Sequence, residues 1–290
     1  MKRSSAALEA RADRMPKTDS IELGNGERLR ILHEDRAVLA IDKPAGWMLV
    51  PVSWQNTGRN LQAALLSCLA SGAYWVRSRN LTFLRYAHRL DAETTGVLLL
   101  AKSRGALDAL GGLFESRLMQ KSYLAVVQGR PPRDAWTCNL PLAPHPRKHG
   151  RVIVSRHDGK STETRFRVVE RKTDAQRGTW SLIEARPVTG RTHQIRVHLA
   201  ADGLPVLGDA LYGPRQSGLM PDDFPLALRA VSLAYADPFT RRAVRIDAPR
   251  TLFLRAFGFE LPAAGEPRGN SRRPPQPGLP AGRFVDTLGP

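Results

Sequence analysis

Apolar runs along this chain are short, and most of them end at glycine or proline. Val38-Leu39-Ala40-Ile41 reads as a strand that closes on the turn Asp42-Lys43-Pro44-Ala45-Gly46. Leu61, Leu65, Cys68 and Leu69 then recur at helical spacing. With Asn60 as cap and Gly72 as stop, they predict a helix from Leu61 to about Ser71. Val97 to Ala101 is continuously apolar, the pattern of a strand covered on both faces. Ser103 can cap a second helix running to about Arg117, with Leu107, Leu110, Leu113 and Phe114 inward. Lys121 to Val127 reads as a strand, and period two puts Tyr123, Ala125 and Val127 on one face. Thr164 to Glu170 and Trp180 to Ala185 read as paired strands. Leu228 to Leu233 and Val244 to Ile246 flank a hairpin turn at Asp237-Pro238-Phe239-Thr240.

Two stretches are denser in chemistry than their pattern requires. In His88-Arg89-Leu90-Asp91, three ionisable groups stand just ahead of a buried strand, separated from it by the turn Ala92 to Gly96. Such groups are either solvated or paired, because an unpaired buried charge is costly. The second stretch is Pro187 to Leu199. With Thr189 as cap and Gly203 as terminator it predicts a helix on which Arg191, Ile195 and Leu199 share a stripe. An arginine in line with an apolar stripe calls for a buried carboxylate. On the same wheel Arg196 points elsewhere, toward solvent or phosphate. His193 and His198 fall on different faces and read as hydrogen-bonding residues. The glycine-punctuated Pro205 to Gly213 is expected to close back over the site.

Composition narrows the class. The 290 residues, 42% hydrophobic and 24% charged, suit an ordinary globular chain. Without a repeat or linker between about residues 28 and 260, one domain spanning 28–262 is expected. A loosely ordered leader (1–27, with a short helix over Ser5 to Arg14) and a disordered Pro/Gly/Arg-rich tail (263–290) would flank it. Lys+Arg number 44 against 27 Asp+Glu, a net charge of +17, which points to a polyanionic partner. Nucleic acid is favoured over a membrane surface. No apolar run is long enough to span a bilayer, and Glu9 and Asp13 interrupt any signal-like core. Two cysteines, Cys68 and Cys138, in neither a metal nor a redox spacing suit a reducing cytoplasm. Positive charge gathers in Pro144 to Lys160, read as an exposed loop and hairpin arm that carries Arg147, Lys148 and Arg151. His145 and His149 are spaced i, i+4, but Pro144, Pro146 and Gly150 argue against a helix, and phosphate contact is expected there, not a metal. Tyr74 to Arg85 interleaves aromatics with arginines. That suits stacked bases, although Trp75 and Phe83 suit a core equally well.

Asp91 alone is open to several roles: nucleophile, general base, metal ligand or salt-bridge acid. The chain has no G-x-S-x-G nucleophile elbow. A glycosidase pair of Asp91 with Glu93 leaves the net charge unexplained. Five motifs in order, IDKPAGWMLVP, AHRLDAETTGVLLLAK, KSYLAVVQG, RPVTGRTHQIRVHLAADGLPVLGDALYG and LRAVSLAYADP, resemble the RluA family of RNA pseudouridine synthases from about Arg30 to Leu261.

The resemblance implies isomerisation of uridine to pseudouridine in ribosomal or transfer RNA, with no cofactor and no metal. It implies an α+β fold, a large mixed and mostly antiparallel sheet with surrounding helices and a central cleft; separately, the chain is expected to act as a monomer. By the same resemblance Asp91 attacks the uridine at C1′ or C6. Arg89 fills the gap left by the flipped base. Tyr123 stacks on the base and assists proton loss from C5. Arg191 pairs with Asp91, and Ile195 packs near the base. His88 is expected to be structural or to touch RNA. An RNA-binding or chaperone protein on the same fold, without catalysis, is the alternative. Two departures stand out. Thr95 replaces the family's usual serine, and about 27 residues before the first motif leave no room for an S4-type module. RNA affinity is therefore expected from the Pro144 to Lys160 arm and from Tyr74 to Arg85.

Overall fold

In the computed structural model, which describes residues 16–49, 59–174, 178–214 and 220–260, the apolar runs become strands of one large sheet. Strands β1 (Ser20–Glu22), β2 (Arg28–Glu34) and β3 (Val38–Lys43) form an antiparallel meander. Helices α1 (Leu61–Ser71) and α2 (Tyr74–Arg77) pack on it. Then come β4 (Arg85–Tyr86), β5 (Thr95–Ala101), helix α3 (Arg104–Glu115), β6 (Gln120–Gln128) and β7 (Ala135–Cys138). A small separate hairpin, β8 (Leu142–Pro144) with β9 (Val152–Val154), precedes the long hairpin β10 (Thr164–Asp174) and β11 (Gly178–Pro187). Helix α4 (Gln194–Ala201), β12 (Leu228–Ala236), β13 (Ala243–Asp247) and helix α5 (Thr251–Ala256) complete the described chain.

The sheet order is β1-β2-β3-β5-β12-β6-β11-β10-β7, with β13 also pairing to β12 and β4 to β5. All of these pairings are antiparallel except β5 with β12, which is parallel. This is the α+β architecture expected from the sequence. The β5–β12 junction joins two core regions, one under α1 and α2, the other among β6, β11, β12 and α5. Gly96 makes the junction possible. Its φ is +107°, and a Cβ there would lie 2.0 Å from the Ala230 carbonyl oxygen. Every residue of β5 is buried, as expected for a strand covered on both faces.

Local signals act where they were read. Asn60 Oδ1 accepts from the Ala63 N–H at 3.0 Å, and Gly72 ends α1 in the left-handed region. Ser103 Oγ accepts from the Ala106 N–H at 3.1 Å and caps α3. Asp237 Oδ1 accepts from the N–H groups of Phe239 and Thr240 and builds the last hairpin turn.

Two expectations are corrected. The leader does not extend to residue 27, because Ser20–Glu22 is a strand whose Ile21 is fully buried. Two apolar residues, Ile21 and Leu23, are too few for period two to show. The Tyr74 to Arg85 stretch is largely structural. Trp75 is a core residue whose Nε1 donates to the Glu22 carbonyl, and the buried Arg79 pairs with Glu34 at 2.9 Å. The short helix read over Ser5 to Arg14 and the tail 263–290 lie outside the described residues. Among the described residues no helix is long and apolar enough to cross a membrane, and no group of three or more His, Cys, Asp and Glu could hold a metal ion.

Candidate active site

Asp91 sits in the loop between β4 and β5, at the end of a cleft of about 490 Å³. Two supports hold that loop from below. The Gly46 N–H donates to the Ala92 carbonyl at 2.9 Å. Lys43, wholly buried at the end of β3, donates from Nζ to the carbonyls of Pro44, Ala92 and Thr94 at 2.8, 2.7 and 3.0 Å. Burial pushes the Lys43 ammonium down to about 7, against the opposing pull of Glu93 and Asp91.

The cation beside Asp91 is Arg196, whose Nη1 donates to Asp91 Oδ2 at 3.0 Å. Its Nε and Nη2 form a bidentate pair with Asp209 at 2.7 and 2.8 Å. Burial disfavours charge on Arg196, but the bonds and charges of Asp209 and Asp91 outweigh it and raise its pKa. Asp209 is held below the usual carboxylate range despite its burial, by Arg196 and by the N–H groups of Leu211 and Tyr212. The guanidinium is thereby fixed in plane before any substrate arrives.

The expected pairing of Arg191 with Asp91 is not what forms, and the reason is where the helix starts. Thr189 does not cap it. Thr189 Oγ1 accepts from the Glu163 N–H and donates to Gln194 Oε1 at 2.8 Å, inside a turn. Gln194 also accepts from the Arg191 N–H and donates to the Glu163 carbonyl and to Thr164 Oγ1. The helix begins only after His193, which takes a left-handed conformation with φ 55°. Arg191 therefore lies in an exposed turn at the cleft mouth, off the helix. Gln194 through Leu199 are all buried, so α4 has no wet face at its start, and the stripe argument that sent Arg196 to solvent fails.

His193 reaches Asp91 from the other side, its Nε2 lying 3.7 Å from Oδ1. Its Nδ1 meets the Tyr212 hydroxyl at 2.8 Å, and that hydroxyl accepts from the Val152 N–H at 2.8 Å. With Val152 as donor, the Tyr212 proton is directed to Nδ1, which leaves the neutral His193 proton on Nε2, facing Asp91. Burial lowers the His193 pKa more than Asp91 raises it. Tyr212 is itself flanked by the guanidinium groups of Arg196 and Arg151, 5.2 and 5.4 Å from its ring centre. The β8–β9 arm is thus joined to the cleft through Tyr212.

The other residues singled out by the sequence divide between the cleft and its surroundings. Tyr123 and Ile195 line the cleft with Asp91. Burial, and then the charge of Asp91, pushes the Tyr123 phenol well up, so it stays neutral. Arg89 is exposed at the cleft mouth without an ion pair among the described residues. His88 also lines the cleft, but its ring nitrogen is engaged with the strand behind it. Its Nε2 accepts from the Leu99 N–H at 3.1 Å, its ring lies 5.1 Å from that of Phe114, and burial drives its pKa down to about 4. It anchors the loop to β5. Arg147 and Lys148 stand exposed at the arm's tip, where His145 Nδ1 accepts both of their backbone N–H groups at 3.1 Å. His145 is thus a turn residue.

Sequence reasoning passed over Asp209, Gln194, Tyr212 and the function of Lys43. One signal was available: an acid inside the apolar, glycine-flanked run Val206 to Leu211 needs a buried cation.

Residues 37–201 match the family described as RNA pseudouridylate synthase. The chain is 36% identical over 229 residues to the ribosomal large subunit pseudouridine synthase C of Salmonella typhimurium and to that of Escherichia coli strain K12. Those alignments take in 76% of this chain and 66% of each relative, so the chain spans just under two thirds of their length. Among solved structures, Human RNA Pseudouridylate Synthase Domain Containing 1 superposes with a TM-score of 0.60 at 26% identity, over 79% of this chain and 86% of that one. Human RNA Pseudouridylate Synthase Domain Containing 4 gives the same TM-score at 24% identity, over 80% and 94%, a likeness of fold. By matched length and by similarity to these relatives, the chain belongs to the RNA pseudouridylate synthase family.

Proposed function

We propose that this chain isomerises uridine to pseudouridine in large-subunit ribosomal RNA, with Asp91 as the nucleophile. The observation that carries the reading is the carboxylate itself. It is held at 3.0 Å by a guanidinium that a second, buried carboxylate locks in place, at the end of a cleft with a basic arm beside it. Arg196 takes the pairing role the sequence had suggested for Arg191.

A base inside a stacked helix cannot be reached, so the uridine is extruded into the cleft. Arg89, exposed at the mouth, fills the gap it leaves. Tyr123 stacks on the base and Ile195 packs against it. As a neutral phenol Tyr123 is a stacking and donating group at neutral pH, and its pKa argues against a phenolate taking the C5 proton. Asp91 attacks either C1′ or C6. The N1–C1′ bond breaks with its electron pair going to N1, the base turns, and C5 bonds to C1′; the Asp91 carboxylate is displaced from C1′ as that bond forms or, on the other route, is expelled from C6 as the C5 proton leaves. The C5 proton leaves and N1 takes one up. The exchange is redox-neutral, and the reading calls on no cofactor.

Arg147, Lys148 and Arg151 meet the RNA backbone. The relatives' names favour ribosomal over transfer RNA. Both cysteines are free and buried, which supports a reducing cytoplasm.

An unmodified large-subunit ribosomal RNA transcript carrying tritium at uridine C5 tests this. The full chain is expected to release tritium, and Asp91→Ala to release none while still binding the transcript. Undiminished release by Asp91→Ala would remove Asp91 from the mechanism. No release by the unaltered chain, from this transcript or from labelled transfer RNA, would leave only an RNA-binding protein.

A further inference from the structure

Thr94 is 2% exposed, and its Oγ1 is buried with no hydrogen-bond partner among the described residues. A buried hydroxyl in that state is a standing cost. Its backbone leaves little freedom to relieve it. The Thr94 N–H donates to the Asp91 carbonyl at 3.2 Å, and its own carbonyl accepts from Lys43 Nζ at 3.0 Å. A β-branched side chain on a pinned backbone has few rotamers to choose from. Thr94 also lines the cleft, next to Asp91, Leu90, Tyr123 and Ile195. Two other polar groups of that cleft are already engaged: Thr189 with Gln194, and Lys121 Nζ with the Thr189 carbonyl at 2.8 Å.

We propose that Thr94 Oγ1 is a substrate contact that donates a hydrogen bond to a carbonyl oxygen of the extruded pyrimidine. The inference rests on the isomerase reading given above. It also fits what that reaction demands. Moving C1′ from N1 to C5 requires the uracil to turn about its N3–C6 axis. That turn brings C5 to the place of N1 and exchanges O2 with O4. A fixed hydroxyl facing one carbonyl before the turn faces the other after it. One donor therefore holds the ring in both settings, and losing it affects the bound base more than the affinity for the RNA as a whole.

The test separates this role from a structural one, because the two predict opposite signs. Thr94→Val keeps the shape and deletes the orphan hydroxyl. Its melting temperature should equal or exceed that of the unaltered chain. Its single-turnover tritium release from the labelled large-subunit transcript should fall about 10- to 100-fold, the worth of one well-placed hydrogen bond. RNA binding should be unchanged, and Thr94→Ser should restore most of the rate. Thr95→Val is the control: Thr95 Oγ1 is equally buried and unpartnered, but it lies on β5 and does not line the cleft. It should gain stability without losing rate. Full activity in Thr94→Val, or a loss of rate matched by a loss of melting temperature, overturns the inference. If the unaltered chain releases no tritium, the isomerase reading falls and takes this contact with it. Release by the unaltered chain with an indifferent Thr94→Val defeats the contact alone.

Discussion

His88 and Asp91 stand three residues apart on the wall of one cleft, and their side chains are held differently. Asp91 is held by Arg196, whereas the His88 ring packs on Phe114 and accepts from the β5 backbone. That environment has a measurable pH signature. The folded pKa is pushed down to about 4 from an ordinary 6.5. Between those values the unfolded chain binds a proton that the folded one refuses, so stability falls as pH drops from about 6.5 to about 4. The shift sets an upper scale on the order of 3 kcal/mol. His88→Gln supplies an acceptor for the Leu99 N–H without titrating. Denaturant unfolding over that pH range should show a shallower loss than in the unaltered chain. His193 and His198, lowered for the same reason, supply the remaining slope. An identical acid slope in His88→Gln would mean that the ring is not the neutral acceptor seen here. Nothing in the residue string tells an inward histidine from an outward one, which is why the sequence left His88 between two roles.

Strands and capped helices were legible because each carries its signal locally. Asn60, Ser103 and Gly72 act through neighbours within four residues, and β5 shows as one unbroken apolar run. Helix α4 was not, because its start is decided from outside. Thr189 has the right chemistry for a cap, but the Glu163 N–H and Gln194 claim its hydroxyl, and the chain turns once more before coiling at Gln194. The left-handed His193, a conformation costing about 1 kcal/mol, is held by Tyr212 and faces Asp91. That displacement of the start exchanges the roles of two arginines. Arg196→Ala should cost about 3–5 kcal/mol in unfolding free energy, because it strands Asp209 and Asp91 together, and should remove activity. Arg191→Ala, at an exposed turn, should stay within about 0.5 kcal/mol of the unaltered chain. Comparable losses in the two variants would contradict the pairing described here.

Across the whole molecule the net charge of +17 was legible at once, but where it is free to act was not. Along β10 and β11 the arginines are matched locally: Arg165 with Glu163, Arg167 and Arg186 with Glu184, and Arg171 with Asp134. Arg79 and Lys102 are consumed by Glu34. Arg147 and Lys148 on the arm, and Arg89 and Arg191 at the cleft mouth, have no ion pair among the described residues. These four charges are free to meet a polyanion at the cleft and on the arm, although exposed arginines elsewhere, such as Arg30, Arg104 and Arg242, also have no ion pair among the described residues. A polyanion held there releases counterions in proportion to the phosphates it surrenders, by about 0.7 in log–log slope per contact on a single strand. Replacing Arg147 and Lys148 with glutamine should weaken binding of the ribosomal transcript at low salt and reduce the salt slope by about 1.4. Arg151 is better left in place, since its guanidinium covers the Tyr212 ring and its loss would disturb the arm's joint with the cleft. The same double change should barely alter single-turnover release once RNA is saturating, because neither residue lines the cleft. A salt slope unchanged by both replacements would show that the arm faces away from the RNA, and would move the backbone contacts to the arginines at the cleft mouth.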